Sequence, residues 1–175
     1  MRLLAVVGSL AIIVGIACAV FFFGGFYSVA ATGADPGVVA AALVRVRQAS
    51  INHNATALPP IPLGDPATVQ EGARAYAARG CVNCHGGPGV AWAKFSEGLN
   101  PGPPDLKEVA PELEPRALFW VIKNGIRMTG MPSFGMIEVP DGEIWKIVAF
   151  LKKLPTVTEQ DYRKWTTPGA EAPRP

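Results

Sequence analysis

Cys81-Val82-Asn83-Cys84-His85 is the stretch from which the rest of the chain can be read. Two thiols three positions apart, followed at once by an imidazole, form the attachment pattern of a c-type haem. The spacing has a physical reason. The two vinyl groups lie on one edge of the macrocycle, so both sulfurs must come from one short turn, and His85 then lies beneath the iron as its proximal ligand. Two other chemistries use a cysteine pair. A zinc site needs a second ligand pair, but the only other Cys is Cys18, in an apolar run, and the only other His is His53. A thioredoxin-like pair should open a helix after a β-strand, whereas a helical pattern leads into this one. The motif is therefore read as holding one covalent haem c through Cys81 and Cys84, with His85 on the iron.

Bulk composition bounds what surrounds that turn. The chain has 175 residues and a formal charge of +2, with 16 Lys and Arg against 14 Asp and Glu, so nothing resembles a nucleic-acid footprint. Gly and Pro number 19 and 17 and gather in the middle and at the tail. A loop-rich domain this small buries little apolar surface by itself, and a covalent cofactor supplies the missing core.

From Leu3 to Ala34 there is no charged side chain, and Leu3 to Phe23 alone gives 21 residues. That meets the roughly 20 residues needed to cross a bilayer core. Arg2 precedes the run, which by the positive-inside rule keeps the N-terminus cytoplasmic. Phe21, Phe22, Phe23, Phe26 and Tyr27 gather at the far end, where aromatic side chains suit the membrane interface. A cleaved signal peptide has a shorter apolar region of about 7–15 residues, and the Ala17-Cys18-Ala19 site falls inside this one. A lipoprotein reading through Cys18 fails because the apolar stretch continues past it. Residues 1–30 are thus read as an uncleaved signal-anchor. Ala11, Gly15 and Ala19 form a small-residue stripe of the kind that packs on a partner helix.

Residues 31–66 read as a periplasmic linker with one helical interruption, Val38 to Ser50, whose Arg45 and Arg47 are either solvated or set against the membrane surface. Pro59-Pro60-Ile61-Pro62 and Asp65-Pro66 predict an extended, semi-stiff spacer. The haem domain is expected over 67–156. Thr68 is read as capping its first helix with Glu71 at N3. A Gly/Pro-rich loop follows from Gly86 to Pro104, with Trp92 and Phe95 expected on the haem wall. A second helix is predicted from Pro111 to Lys123, stopped by Asn124-Gly125. The third, Gly142 to Leu154, is read as capped by Asp141, with Ile144, Ile147, Val148 and Leu151 on one face. Residues 157–175 form a tail with a short polar helix from Thr158 to about Trp165. No stretch alternates as a strand does.

Over about Ala67 to Pro155 these residues resemble class I cytochromes c. The strongest marks are Cys81–His85 and Thr129-Gly130-Met131-Pro132-Ser133-Phe134-Gly135, and the final helix carries Ile147-Val148-Ala149-Phe150-Leu151. The pattern is most similar to the membrane-anchored, oxidase- or dehydrogenase-associated monohaem cytochromes of bacteria. The resemblance implies an all-α class I cytochrome c fold around one covalent haem, preceded by a single transmembrane helix, with His and Met as axial ligands. Three methionines compete for the second place. Met131 precedes Pro132, which confines it to extended geometry, and occupies the family's ligand position; Met128 and Met136 are the alternatives. A proline carbonyl orients the ligand histidine in the family, which here means Pro103 or Pro104. Gly72, Tyr76 and Phe150 match the family's close helix crossing and read as packing, as does Trp120. Arg79, Lys94, Lys123 and Arg127 are weighed as a basic ring steering an acidic partner.

An iron with both axial positions filled leaves no open site for substrate, so one-electron transfer is the leading function. The expected partners are a redox donor and acceptor, namely a quinol-oxidising complex, a dehydrogenase or a terminal oxidase. The expected place is the bacterial inner membrane, single-pass, with the haem domain in the periplasm. The rival is a haem-based sensor or peroxidase-like enzyme with a labile distal ligand, for which no distal His, Arg or acid stands beside the methionine loop.

Overall fold

Every regular element of the computed structural model is helical. It describes residues 2–26, 28–33 and 35–167, and among these there is no strand, only an isolated bridge between Gly87 and Val90. Tyr27 and the Pro-rich end of the tail, 168–175, lie outside the described residues. The chain divides into two units, residues 1–34 and 35–175.

The first unit is helix α1, Arg2–Phe23, 22 residues with a mean hydropathy of 2.8 and no buried side chain. At 1.5 Å per residue it is about 33 Å long, enough for a hydrocarbon core of about 30 Å. It is the one candidate membrane span among the described residues.

The second unit is built on two crossed helices. Helix α3, Pro66–Ala78, leads into the short α4, Cys81–His85, and packs across α7, Asp141–Lys153. Helix α7 is the hub. Ile144, Ile147, Val148 and Leu151 form the expected face, and Trp145, Ala149 and Phe150 are buried too. Each such aliphatic or aromatic side chain contributes roughly 1.5–3 kcal/mol through burial. The crossing is a backbone contact. A Cβ on Gly72 would stand 1.9 Å from the Lys146 carbonyl oxygen and 2.6 Å from its carbon. Tyr76 of α3 and Phe150 of α7 then pack with ring centroids 5.2 Å apart. Ion pairs Lys146–Glu71 and Arg79–Glu143, 2.6 and 2.7 Å, join the same two helices.

Helix starts differ from the sequence reading in instructive ways. Asp65, not Thr68, caps α3, accepting the Thr68 N–H and hydroxyl at 2.8 Å each. Pro66 explains it, since proline is suited to the first helical position. Thr68 is drawn in as a donor, and Glu71 is committed to Lys146. Likewise α7 has Pro140 at its N-cap, and Asp141 takes Lys123 Nζ at 2.8 Å. The helix predicted from Pro111 begins only at Pro115, as α6, Pro115–Asn124, again with proline opening the helix, and a separate short helix, α5, Leu106–Val109, precedes it. Lys152 Nζ donates to the carbonyls of Pro111 and Leu113 in the intervening turn, 2.5 and 2.8 Å away. Gly125, at φ +68°, ends α6 as predicted.

The segment read as a spacer is held down. Helix α2, Gly37–Asn54, extends past the predicted Ser50, and Ile51 with Ala55 is buried against Ala117, Trp120 and Val121 of α6. Ile61 and Leu63 pack on the main core. The proline-rich run is therefore fixed by its two branched side chains. The tail helix α8, Glu159–Thr166, lies where a short helix was expected, with Thr158 as its cap rather than its first residue, and it also joins the core. Tyr162 is 2% exposed and stacks on Phe150 at 5.7 Å, and Arg74 Nε donates to the Trp165 carbonyl at 3.0 Å.

Two outcomes follow from the crossing. Gly72→Ala is expected to cost about 3 kcal/mol or more, because the added carbon meets backbone that cannot step aside; unfolding in mild detergent measures it, and a loss under 1 kcal/mol would contradict the contact. Arg79, by hydrogen bonds from Nε and Nη2, holds Glu143 below the usual carboxylate range. A depressed carboxylate stabilises above its ordinary value of about 4.3 and loses that contribution as pH falls through the folded value. Arg79→Ala should thus lower stability at pH 7 slightly, as exposed ion pairs contribute little, and the gap should close as acid takes the pH below the folded value of Glu143.

Candidate functional site

The Cys81–His85 turn is shaped from both ends. Gly80, at φ +76°, ends the run from α3 in a left-handed conformation, and Gly86, at φ +65°, releases the chain after His85. Neither backbone suits a side chain. The turn is pinned from below, since Tyr76 of α3 donates its hydroxyl to the Gly86 carbonyl at 2.7 Å. It is pinned from the side too, because the Ala93 N–H donates to the Asn83 carbonyl at 2.7 Å. Burial at that place pushes the Tyr76 hydroxyl well above its ordinary pKa.

Both cysteines of the turn are half-buried and neither forms a disulfide. Burial pushes the Cys81 thiol up to about 12. Reactive redox cysteines have lowered pKa values, the opposite of the direction at Cys81. The zinc alternative lacks its ligands, for no group of three or more His, Cys, Asp and Glu able to hold a metal occurs among the described residues.

Of the two prolines the sequence left open, one is in contact with His85. Its Nδ1 lies 3.0 Å from the carbonyl oxygen of Pro104. A carbonyl only accepts, so Nδ1 carries the proton and Nε2 keeps its lone pair. Burial lowers the His85 pKa, against a smaller opposing effect of that hydrogen bond. Burial thus favours the neutral ring, and the hydrogen bond orients it, as an outer hydrogen bond does for histidines that bind metals. Pro103 has no such contact to His85.

The methionine loop separates its three candidates. Met128 and Met136 are 78% and 86% exposed. Met131 is half-buried and packs on the core that also receives Cys81. Its backbone is gripped on both sides. The Met131 N–H donates to Thr129 Oγ1 at 3.1 Å, and its carbonyl accepts from the Ile126 N–H at 3.2 Å. Thr129 in turn donates to the Ile126 carbonyl at 2.8 Å. Ser133 Oγ and the Gly135 N–H both donate to the Lys123 carbonyl, 2.8 Å each, tying the loop to the end of α6. Thr129 and Ser133 stood in the quoted motif without a role; their hydroxyls are what fix the loop.

Trp92 and Phe95 are exposed, at 52% and 62%. Trp92 and Val90 share with His85 a groove of about 430 Å³ that Leu154, Val157 and Glu159 close from the α8 side. Met131 does not line it, so the groove is not the face between the two candidate ligands. Trp120 serves the α2–α6 contact. The basic ring is largely neutralised, since Arg79 pairs with Glu143, Lys94 with Glu97 and Lys123 with Asp141. One group went unnoticed in the sequence. Tyr162, behind the Cys81–His85 turn, has a buried hydroxyl without a hydrogen-bond partner, pushed up to about 12 mainly by burial. A lone tyrosine in a polar helix carries no local signal of that placement.

The donor set fits a covalent haem. Two thiols sit within one helical turn, an oriented imidazole follows directly, and a thioether stands ready on a separate, rigid loop. Comparison with known proteins agrees. Residues 67–151 match the family described as cytochrome C oxidase, cbb3-type, subunit III. Neither the curated proteins nor the solved structures yield a match. The matched segment begins in α3 and ends in α7, so it spans the helix crossing, the Cys-Val-Asn-Cys-His turn and the methionine loop. A cytochrome domain of this kind transfers electrons through haem c, and with its all-helical fold the segment 67–151 is a class I c-type cytochrome domain.

Proposed function

We propose that the chain is a membrane-anchored monohaem electron carrier, or the cytochrome subunit of a respiratory or dehydrogenase complex. Cys81 and Cys84 hold the haem through thioethers, His85 Nε2 is the proximal ligand and Met131 the distal one. The observation that carries this reading is the preparation of both donors: His85 kept toward the neutral form by burial and oriented by Pro104, and Met131 alone of its loop's methionines turned to the core with its backbone fixed. Haem so held supplies a reversible one-electron couple, and a thioether raises its potential relative to a second imidazole. The chain's own contribution is rigidity. Residues that do not move between oxidation states keep the reorganisation needed for electron exchange small.

Helix α1 anchors the protein in the bacterial inner membrane with the haem domain in the periplasm, where Arg2 at the cytoplasmic end and covalent haem attachment agree. The donor is a quinol-oxidising complex or a dehydrogenase, and the acceptor a terminal oxidase. The matched family's description, an oxidase subunit, favours a fixed place beside such an oxidase.

The ligand set is tested on the purified haem-loaded protein. Met131→Ala should abolish the thioether-to-iron band at the red end of the spectrum, lower the midpoint potential and admit carbon monoxide to the reduced protein at neutral pH. Met128→Ala and Met136→Ala should leave all three properties unchanged. An unaltered spectrum in Met131→Ala would remove Met131 from the iron. Ready carbon monoxide binding by the unsubstituted protein would favour the sensor or peroxidase-like reading instead.

A further inference from the structure

The carbonyl that accepts the His85 proton stands on a segment unable to hold itself. Pro101-Gly102-Pro103-Pro104 leads up to it, and three of these four residues have no N–H to give to a hydrogen-bonded ladder. The Pro104 carbonyl is therefore placed from its downstream side. There Asp105 opens α5, its Oδ1 accepting the Lys107 N–H at 2.8 Å and its carbonyl the Val109 N–H at 3.1 Å. Helix α5 has only four residues, far below the length at which a helix stands by itself. Its C-cap, Ala110, is fully buried, and the chain just past it is gripped by Lys152 of α7. Lys152 Nζ donates to the Pro111 and Leu113 carbonyls at 2.5 and 2.8 Å, with the Ala110 carbonyl at 3.4 Å. Lys94, Lys123 and Lys146 each meet a carboxylate. Lys152 instead faces backbone oxygens at a helix end, where a cation is favoured.

We infer that Lys152 is a positioning residue for His85, acting through α5 and the Pro104 carbonyl. The inference rests on reading His85 as the proximal ligand. With Asp105 fixing one end of α5 and Lys152 the chain at the other, this single turn moves as one body, and the Pro104 carbonyl moves with it. Leu106 and Leu113 pack on the core, and α5 lies against Leu154–Thr156, the turn that follows α7. Apolar contact has no direction, so it is the Nζ hydrogen bonds that fix where the turn comes to rest. Helix α7 thus governs both partners of one hydrogen bond. Through Gly72 and Tyr76 it sets the turn that carries His85. Through Lys152 it sets the oxygen that receives the Nδ1 proton. The consequence is functional, because the outer hydrogen bond of a metal-bound histidine fixes the ring and raises its basicity as a ligand. A looser grip by Lys152 leaves a less basic imidazole, which favours the reduced iron.

Proton NMR of the reduced, haem-loaded full chain in detergent micelles tests this, with solvent exchange of the His85 Nδ1 proton as the readout. A ring-current displacement of the His85 ring protons first shows that the imidazole sits on the iron. Its absence overturns the ligand reading, and the proposal with it, before any substitution is made. In Lys152→Met, the Nδ1 proton and the Val109 and Ala110 amide protons should all exchange about tenfold faster, the factor that goes with one lost hydrogen bond, while the α3 amides keep their rates. The midpoint potential should rise relative to Lys153→Met, which removes the same charge from the exposed neighbour and should leave every exchange rate unchanged. An unchanged Nδ1 rate in Lys152→Met, whether or not Val109 and Ala110 accelerate, would overturn the proposal. Acceleration shared equally by the α3 amides marks a general loss of stability and overturns it too. Where Lys152→Met fails to load haem, the unsubstituted protein decides. As denaturant is raised, its Nδ1 proton should become exchangeable together with the Val109 and Ala110 amides; exchange in step with the α3 amides instead would overturn the proposal.

Discussion

Everything near the haem turn is set by the place where α3 and α7 touch backbone to backbone. Gly72 has no side chain, and only for that reason can the Lys146 carbonyl approach as closely as it does. The approach brings Tyr76 onto Phe150, and Phe150 onto Tyr162 of α8. Tyr76 then reaches past the end of α3 to the Gly86 carbonyl. The path from the crossing to the Cys81–His85 turn is thus one side chain long. A shift at Gly72 would be delivered to the turn almost undiminished, because cores of this density transmit displacement rather than absorb it.

The methionine loop is built by a different means. It contains little regular structure, and hydrogen bonds from hydroxyl side chains replace the helix ladder. Thr129 and Ser133 join the loop's backbone to Ile126 and to the end of α6, while Phe134 is buried. The two proposed ligand donors therefore have separate supports, α3 for the imidazole and α6 for the thioether. Both helices pack on α7, which makes that helix the common reference for the Cys81–His85 turn and the methionine loop. This division explains why α7 is buried nearly all round, although its pattern from residue to residue announces only one face.

How far the sequence could be read follows from the range of each interaction. The turn, the methionine phrase and the α7 face are local patterns, and they appear where expected. The start of α3 was misassigned because two capping patterns overlap, and proline at 66 gives the earlier one the advantage. Pro104 could not be told from Pro103, since which carbonyl turns toward His85 depends on the course of the whole intervening loop. The spacer was misjudged for a related reason. Proline fixes an extended backbone, but whether that backbone lies free or along the core rests on Ile61 and Leu63, whose contacts are remote in sequence. Tyr162 is the extreme case, a residue placed entirely by α3 and α7.

The account as a whole depends on both thiols of the turn being consumed by one haem. Proteolysis of the alkylated holoprotein followed by mass spectrometry reads this directly, because cleavage after Arg79 and Lys94 isolates residues 80–94 with both cysteines. The account predicts that this peptide carries the mass of one haem and no alkyl group, while Cys18 is alkylated. An alkylated Cys81 and Cys84, with no haem on the peptide, would contradict it.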